Sequence, residues 1–289
     1  MAKTPPFNLR FWLQNLALRT MISALLRLPY RWRVPLGGWA VANIVSPLAG
    51  YDRRASDNLA LIWPEKSAAA RGVIAHRALD NAGRSLIENY STAEFTALQA
   101  KEEPTGPGYA ALQQAQAQGR AVILVSGHFG NYEAARASLV ARGFAVGGLY
   151  RNLANPYFNE HYVQTMQAYG GPVFAQGRSG TSGFVKHLKA GGMLVLLFDQ
   201  RTNDGVLLPF LGHPAKTALS AAALALRYDA LLIPFFATRN PDGISFAIEL
   251  DAPISHSDPR TMMIAVTKAL EARVLRHPEQ WFWVHRRWK

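Results

Sequence analysis

A histidine and a glutamate stand close together at the point where an apolar stretch of the chain ends. His128 follows the run AVILVSG over residues 121–127, and Glu133 comes five residues later. A histidine with a carboxylate beside it is a common arrangement for a general base and its orienting partner. On one regular helix the two side chains would point about 140° apart. They can meet only if His128 lies in a turn and Glu133 in the first turn of the following helix.

The residues around them suit such a turn. Gly127 and Gly130 allow backbone conformations that other residues avoid, and Asn131 is a suitable helix N-cap. The free N–H groups at that helix start could stabilise an oxyanion or a phosphate. A purely structural interpretation stands beside this one, in which His128 caps the helix and Glu133 only favours the helix dipole. Spacing alone favours neither.

Two further candidate residues also follow predicted strands. Arg151 comes just after the strand 144–149, and Asp199 comes directly after the strand 193–198. Ligands of open α/β sheets gather at the carboxyl ends of the strands. We therefore expect His128, Arg151 and Asp199 to lie near one another, against the alternative that each forms a surface salt bridge.

The elements that must hold these residues alternate between strands and helices. The predicted strands are 121–126, 144–149, 172–175, 193–198, 206–210, 230–238 and 244–250. The predicted helices between and after them are 131–142, 156–169, 181–190, 217–228 and 259–276. Such alternation is typical of an α/β fold, with a largely parallel or mixed sheet that helices cover on both faces.

The remainder of the chain is predicted to be helical. Residues 56–99 have a helical pattern that Pro64 interrupts, and a loop over 104–108 and a short helix lead into the first strand. We expect one catalytic α/β domain over residues 56–289, whose lead-in 56–119 is helical. An N-terminal helical segment over residues 1–55 precedes it.

The charge of the chain points to an anionic partner. The formal net charge is +12, and residues 1–60 hold eight Lys and Arg against two Asp. Because these cations alternate with Trp, Leu and Ile, and the stretch 9–28 has the pattern of an amphipathic helix, an anionic membrane surface fits better than nucleic acid. Residues 34–51 are uncharged but contain Pro and Gly, which favours an embedded or interfacial segment at least as much as a membrane span.

Several chemistries have no support in the sequence. The chain has no cysteine, which excludes disulfides and thiolate catalysis. Neither a P-loop nor G-x-G-x-x-G nor G-x-S-x-G is present, and the histidines are scattered without metal-ligand spacing. The loop 177–180 (GRSG) could hold a phosphate, but four residues make a weak signal.

Taken together, the motifs resemble those of a known family. HFGNYE over residues 128–133 is similar to the HxxxxD/E block of glycerolipid-type acyltransferases, and in particular to that of the bacterial late acyltransferases of lipid A biosynthesis. Further blocks that match this family in order are 58–61 with 64–65, 150–151, 199–201, 205–210, 212–215 with Thr217, and 277–288. The resemblance covers nearly the whole chain.

The resemblance implies a glycerol-phosphate-acyltransferase-like fold. It also implies transfer of a fatty acyl chain from a thioester carried on acyl carrier protein to a hydroxyl of a lipid A precursor. His128 would act as the general base and Glu133 would hold its tautomer. The residues implied to contact substrate are Arg151, Asp199, Asn131, Gly130 and Arg201. The resemblance implies no metal or cofactor, and it places the protein with anionic lipids at the cytoplasmic face of a bacterial inner membrane.

The chain departs from the family pattern at two places. Tyr132 stands where tryptophan is usual, and Arg201 replaces a common carboxylate, which affects the expected acceptor contact. Three alternatives stay open: the same chemistry on another glycolipid or glycerolipid with acyl-CoA as donor, a non-enzymatic basic membrane-binding protein, and, least favoured, a nucleic-acid binder.

Overall fold

A computed structural model describes residues 7–288 of the chain. The helices are α1 Leu9–Leu26, α2 Tyr30–Ala40, α3 Ser46–Ala49, α4 Tyr51–Ile62, α5 Ala68–Tyr90, α6 Thr92–Gln99, α7 Pro107–Ala117, α8 Tyr132–Ala141, α9 Pro156–Ala168, α10 Arg178–Lys189, α11 Ser220–Arg227 and α12 Pro259–Arg276. The strands are β1 Val122–Ser126, β2 Val146–Tyr150, β3 Val173–Ala175, β4 Met193–Leu197, β5 Val206–Phe210, β6 His213–Thr217, β7 Leu231–Arg239 and β8 Phe246–Leu250.

Six strands form the central sheet in the order β3-β2-β4-β1-β7-β8. All neighbouring pairs are parallel except β7 and β8, so the sheet is mostly parallel. Strands β1 and β4 are adjacent, and their last residues, Ser126 and Leu197, are paired. The loops that follow these two strands therefore begin side by side. The α/β fold expected from the alternating pattern is confirmed.

Strand β1 is buried along its whole length, which explains its continuous apolar sequence. Ile123 and Val125 belong to the apolar cluster on one face of the sheet, and Val122 and Leu124 belong to the cluster on the other. Side chains alternate between the faces of a strand, so helices on both sides are needed to cover these four residues. This double cover fixes the end of β1, from which His128 follows.

The N-terminal helices pack on α5 through glycines. A Cβ at Gly37 of α2 would lie 2.2 Å from Ile87, and one at Gly83 of α5 would lie 2.5 Å from the Gly37 carbonyl oxygen. Helix α2 continues through a π-helical turn over Val41–Val45 into α3, so residues 34–51, expected to be an embedded or interfacial segment, fold as short helices. Within residues 7–288, no helix has the length and apolar character needed to cross a membrane.

The structure adds detail to the predicted elements and corrects one of them. The helix expected over 217–228 begins at Ser220, and Thr217 instead ends β6. Strand β6 was not predicted; it pairs only with β5, in a hairpin separate from the main sheet. The helical stretch 56–99 divides into the end of α4, α5 and α6, with the expected break at Pro64.

Candidate active site

The structure brings His128 and Asp199 together at the ends of β1 and β4. Nδ1 of His128 lies 2.7 Å from Oδ1 of Asp199. The backbone N–H of His128 donates to Oδ2 of the same carboxylate at 2.7 Å. Asp199 is fully buried, whereas the His128 side chain is 23% exposed. A buried carboxylate thus fixes both the ring and the backbone of an accessible histidine.

The carboxylate of Asp199 is held in its ionised form by its surroundings. Burial alone would raise the pKa of Asp199, but the electrostatic interaction with the adjacent His128 and the hydrogen bonds from its ring and its backbone outweigh burial, and the pKa lies well below its ordinary value. Nε1 of Trp281 donates a further hydrogen bond to Oδ2 at 2.9 Å. Because an ionised carboxylate only accepts hydrogen bonds, Nδ1 of His128 carries the proton and Nε2 is left basic.

The expected pairing of His128 with Glu133 is wrong. The Glu133 carboxylate instead accepts a hydrogen bond from Nη1 of Arg136 at 3.2 Å. Glu133 occupies the first turn of α8, as predicted, but its side chain turns toward the residue one helical turn later on the same helix. Asp199, from the neighbouring strand, takes the place at Nδ1.

The turn between the two motif residues is built as the sequence predicted. Asn131 caps α8, and its Oδ1 accepts a hydrogen bond from the Glu133 backbone at 3.1 Å. Gly130 has φ +56, and a Cβ there would lie 1.8 Å from the carbonyl oxygen of Ala237. The N–H groups of Gly130 and Asn131 donate to the carbonyl oxygens of Gln280 and Ala237. These two N–H groups are therefore not available to an oxyanion; that the other N–H groups of this helix start bind one stays a prediction.

Residues near the C-terminal end of the described chain complete the site, and sequence reasoning did not single them out. The ring of His285 lies 4.6 Å from that of His128, centroid to centroid. The backbone N–H of Phe282 donates to the carbonyl oxygen of His128. Burial lowers the pKa of His285 to about 4, so its imidazole is neutral at pH 7.

A buried arginine lies behind these two histidines. Burial lowers the pKa of Arg287 to about 10, with Asp199 acting in the opposite direction, so the guanidinium is still charged at pH 7. It donates to the carbonyl oxygen of Lys216 and to Oγ1 of Thr217. The block 277–288 matched the family, and that match was the signal that could have identified these residues.

His128, Asp199 and His285 together have the ligand types of a metal site. Their ligand atoms lie within 4.8 Å of one another. However, both oxygens of Asp199 already accept hydrogen bonds from His128 and Trp281. A metal ion would have to replace the proton between His128 and Asp199, so the arrangement fits a hydrogen-bonded acid–base pair better than a ligand set. That the protein needs no metal stays a prediction.

Two further expected site residues, Arg151 and Arg201, are on the surface. Arg151 follows β2 and Arg201 follows β4, and both are exposed. Nε2 of Gln200 lies 3.4 Å from Nε2 of His128, on the exposed side of the ring. The loop 177–180, which the sequence suggested as a phosphate site, follows β3. Strands β2 and β4 lie between β3 and β1 in the sheet. The side chains of Arg178 and Ser179 lie outside the described residues.

A mainly apolar cavity of about 200 Å³ opens beside His128. It lies between α5 and the turn that carries His128. The α5 residues that line it are Ala78, Asn81, Ala82, Ser85, Leu86 and Asn89. Gly130 and Asn131 also line the cavity. Their contact with substrate stays a prediction. The cavity's mainly apolar lining with a few polar groups is typical of a small-molecule site.

The chain is similar to known proteins over most of its length. Residues 6–289 match the family described as bacterial lipid A biosynthesis acyltransferase. The lipid A biosynthesis lauroyltransferase of Escherichia coli (strain K12) is 28% identical over 244 residues, which are 80% of this chain and 77% of that protein. A lipid A biosynthesis acyltransferase of Haemophilus influenzae is 25% identical over 292 residues, covering 96% of this chain and 90% of the relative.

Proposed function

Because this chain belongs to the bacterial lipid A biosynthesis acyltransferase family, and is thus an acyltransferase, we propose that it moves a fatty acyl chain from an acyl thioester to a hydroxyl of a lipid A precursor, with His128 as the general base. The observation that carries the mechanism is the hydrogen bond between Nδ1 of His128 and the buried Asp199. It leaves Nε2 as the basic atom on the accessible side of the ring.

The reaction then proceeds through two proton transfers at one nitrogen. Nε2 of His128 takes the proton of the acceptor hydroxyl as its oxygen attacks the thioester carbonyl carbon. The tetrahedral intermediate collapses, the C–S bond breaks, and the imidazolium returns the proton to the leaving thiolate. The buried carboxylate of Asp199 stabilises the imidazolium in between. Such base catalysis contributes about 10² to 10⁴ in rate.

Glu133 belongs to the same machinery through a different contact. Its ion pair with Arg136 is buried, and Arg136 also donates to the carbonyl oxygens of Val146 and Gly170. The pair therefore connects the first turn of α8 to β2 and to the loop before β3. We propose that Glu133 keeps the catalytic turn in place instead of touching the His128 ring.

The acyl chain and the acceptor have different places in this proposal. The apolar cavity beside His128 receives the acyl chain of the thioester, whose acidic carrier protein is the expected donor. Arg151 and Arg201, both exposed at the carboxyl edge of the sheet, bind phosphate groups of the acceptor, for which guanidinium is well suited.

The N-terminal helices suit the cytoplasmic face of an inner membrane. In α1 only Ile22 is buried, while Trp12, Leu13 and Leu16 are exposed. Exposed apolar side chains beside arginines favour an anionic lipid surface. The double variant Leu13→Asp with Leu16→Asp is expected to bind phosphatidylglycerol vesicles at least tenfold more weakly than wild type. Leu275 is an exposed leucine on α12, and Leu275→Asp is the matched control. Equal binding of both variants would contradict the membrane proposal.

The acyl transfer proposal is tested with purified protein and a panel of substrates. Acyl carrier protein and coenzyme A thioesters are each combined with a Kdo-bearing lipid A precursor, a glycerolipid and a glycosylated inositol lipid. We expect the lipid A precursor to be acylated fastest and His128→Ala to lose at least 100-fold in kcat. Faster acylation of another acceptor would reject the lipid A assignment, and a near-normal rate for His128→Ala would reject the mechanism.

A further inference from the structure

A buried ion pair lies behind the catalytic turn. Arg239, near the end of β7, donates from both terminal nitrogens to the two oxygens of Glu88 on α5, the Nη2 bond to Oε2 being 2.8 Å. The side chains are 7% and 0% exposed. The desolvation free energy of two buried charges often exceeds the free energy gained from their attraction. A buried ion pair is therefore weak evidence that its role is only to stabilise the fold.

The hydrogen bonds of Arg239 lead to the carbonyl group of Gly130. Nε of Arg239 donates to Oδ1 of Asn81 at 2.7 Å, and Nδ2 of Asn81 donates to the Gly130 oxygen at 3.1 Å. Nη2 of Arg239 also donates to Oγ of Ser85 at 3.2 Å, and that hydroxyl donates to the same Gly130 oxygen at 3.1 Å. Two parallel routes thus fix one carbonyl of the turn.

The hydrogen bonds of Glu88 lead to the next residue of the turn. Nδ2 of Asn131 donates to Oε2 of Glu88 at 2.9 Å. The backbone of Arg239 is fixed as well, because its N–H donates to Oε1 of Gln280 and its carbonyl accepts from Nε2 of the same side chain. The Gln280 carbonyl in turn accepts from the N–H of Gly130. An apolar pair could fill the same volume and keep the backbone bonds, but it could not accept from Asn131 or donate to Asn81 and Ser85.

We propose that Glu88 and Arg239 are positioning residues for the acyl transfer, which hold the Gly130–Asn131 turn and thereby the His128 ring in the reactive geometry. This inference rests on the proposed function of His128. Neither residue touches the reacting atoms. A displacement of about 1 Å in a catalytic group can reduce the rate about 100-fold. Loss of the Glu88–Arg239 pair is therefore expected to lower kcat.

The test is the double variant Glu88→Leu with Arg239→Met, which removes both charges and keeps most of the volume. Because no unpaired charge is left, it is expected to unfold at a higher temperature than either single variant. Its kcat is expected to fall 10- to 100-fold with KM within twofold of wild type, and the amides of Gly130 and Asn131 should exchange hydrogen faster. A second ion pair, Arg273 with Asp251, makes no hydrogen bond to this turn; Arg273→Met with Asp251→Leu is the control and should keep kcat within twofold.

Unchanged kcat and unchanged amide exchange in the folded double variant would overturn the inference. Should that variant not fold, Ser85→Ala removes one of the two routes to the Gly130 oxygen at little cost in volume. It is expected to lower kcat several-fold and to speed exchange at Gly130, and no change in either would overturn the inference too. Amide exchange needs no turnover, so it decides this question even if the wild-type protein fails to acylate any acceptor and the proposed function falls.

Discussion

Replacing Asp199 by asparagine is expected to reverse the tautomer of His128. Three donors surround the Asp199 carboxylate: the ring Nδ1 and backbone N–H of His128, and Nε1 of Trp281. Two of them converge on Oδ2 and only the ring nitrogen faces Oδ1. The asparagine NH₂ group is itself a donor. In the position of Oδ2 it would face two N–H donors, whereas in the position of Oδ1 it would face only one, so the Oδ1 position is favoured. The ring is the one donor that can change its role, by accepting at Nδ1 and moving its proton to Nε2.

That change removes the base without removing the hydrogen bonds. With the proton on Nε2, His128 cannot accept the proton of the acceptor hydroxyl. We expect kcat to fall about 10² to 10⁴, which corresponds to roughly 3 to 5 kcal/mol of transition-state stabilisation. The free energy of unfolding should fall by only about 1–3 kcal/mol, because all three contacts can persist.

Two measurements check this prediction. Steady-state acyl transfer gives kcat for Asp199→Asn against wild type, and ¹⁵N NMR of the histidine ring identifies which nitrogen carries the proton. A variant that keeps near-normal kcat, or one that loses activity while Nδ1 stays protonated, would refute the reasoning about the tautomer. Urea unfolding of both proteins serves as the control for folding.

Three further predictions concern the surroundings of the pair. Glu133→Gln, which can still accept the hydrogen bond from Arg136, is expected to keep more activity than Asp199→Asn; kcat of the two variants compares them, and the opposite order would restore Glu133 as the partner of His128. The pKa of His285 is about 4 in the folded protein against 6.5 ordinarily. The unfolded chain therefore binds its proton first as the pH falls, and about 3 kcal/mol of stability is lost between pH 6.5 and 4. Urea unfolding should show that this part of the pH dependence is absent in His285→Gln, and an unchanged slope would contradict it. Gly130→Ala must move the turn away from Ala237, so we expect at least a tenfold loss of kcat in the same transfer assay.

The sequence predicted the strands of the main sheet and the edge at which the site lies. Hydrophobic runs such as 121–125 identify buried strands because both faces of the sheet must be covered. Strand β6 was missed because its residues, HPAKT, contain proline and lysine and lack a long apolar run. Its pairing with β5 comes from the tight turn between them and not from a core-facing pattern.

The partner of His128 could not be deduced from local spacing. Local spacing favours Glu133, which is five residues from His128, whereas Asp199 is separated from it by 71 residues. Asp199 is far from His128 in the sequence but near it in space, because β4 lies beside β1 in the sheet. The positions of Arg239 and Glu88 depend in the same way on tertiary packing, since their hydrogen-bonding role appears only once α5 crosses the end of β7.

The contacts of residues 281–288 with His128 and Asp199 have a consequence for the order of folding. Trp281 reaches across 82 residues to Asp199, and Nδ2 of Asn58 reaches across 225 residues to the Trp283 carbonyl. Closing such long loops costs conformational entropy, so these contacts are expected to form late in folding. During synthesis this segment emerges after every strand of the sheet, so the proposed catalytic pair of His128 and Asp199 lacks its indole donor and its neutral second imidazole until then. We therefore expect a nascent or partly folded chain to transfer acyl groups more slowly than the fully folded protein, because its Asp199 carboxylate lacks the hydrogen bond from Trp281.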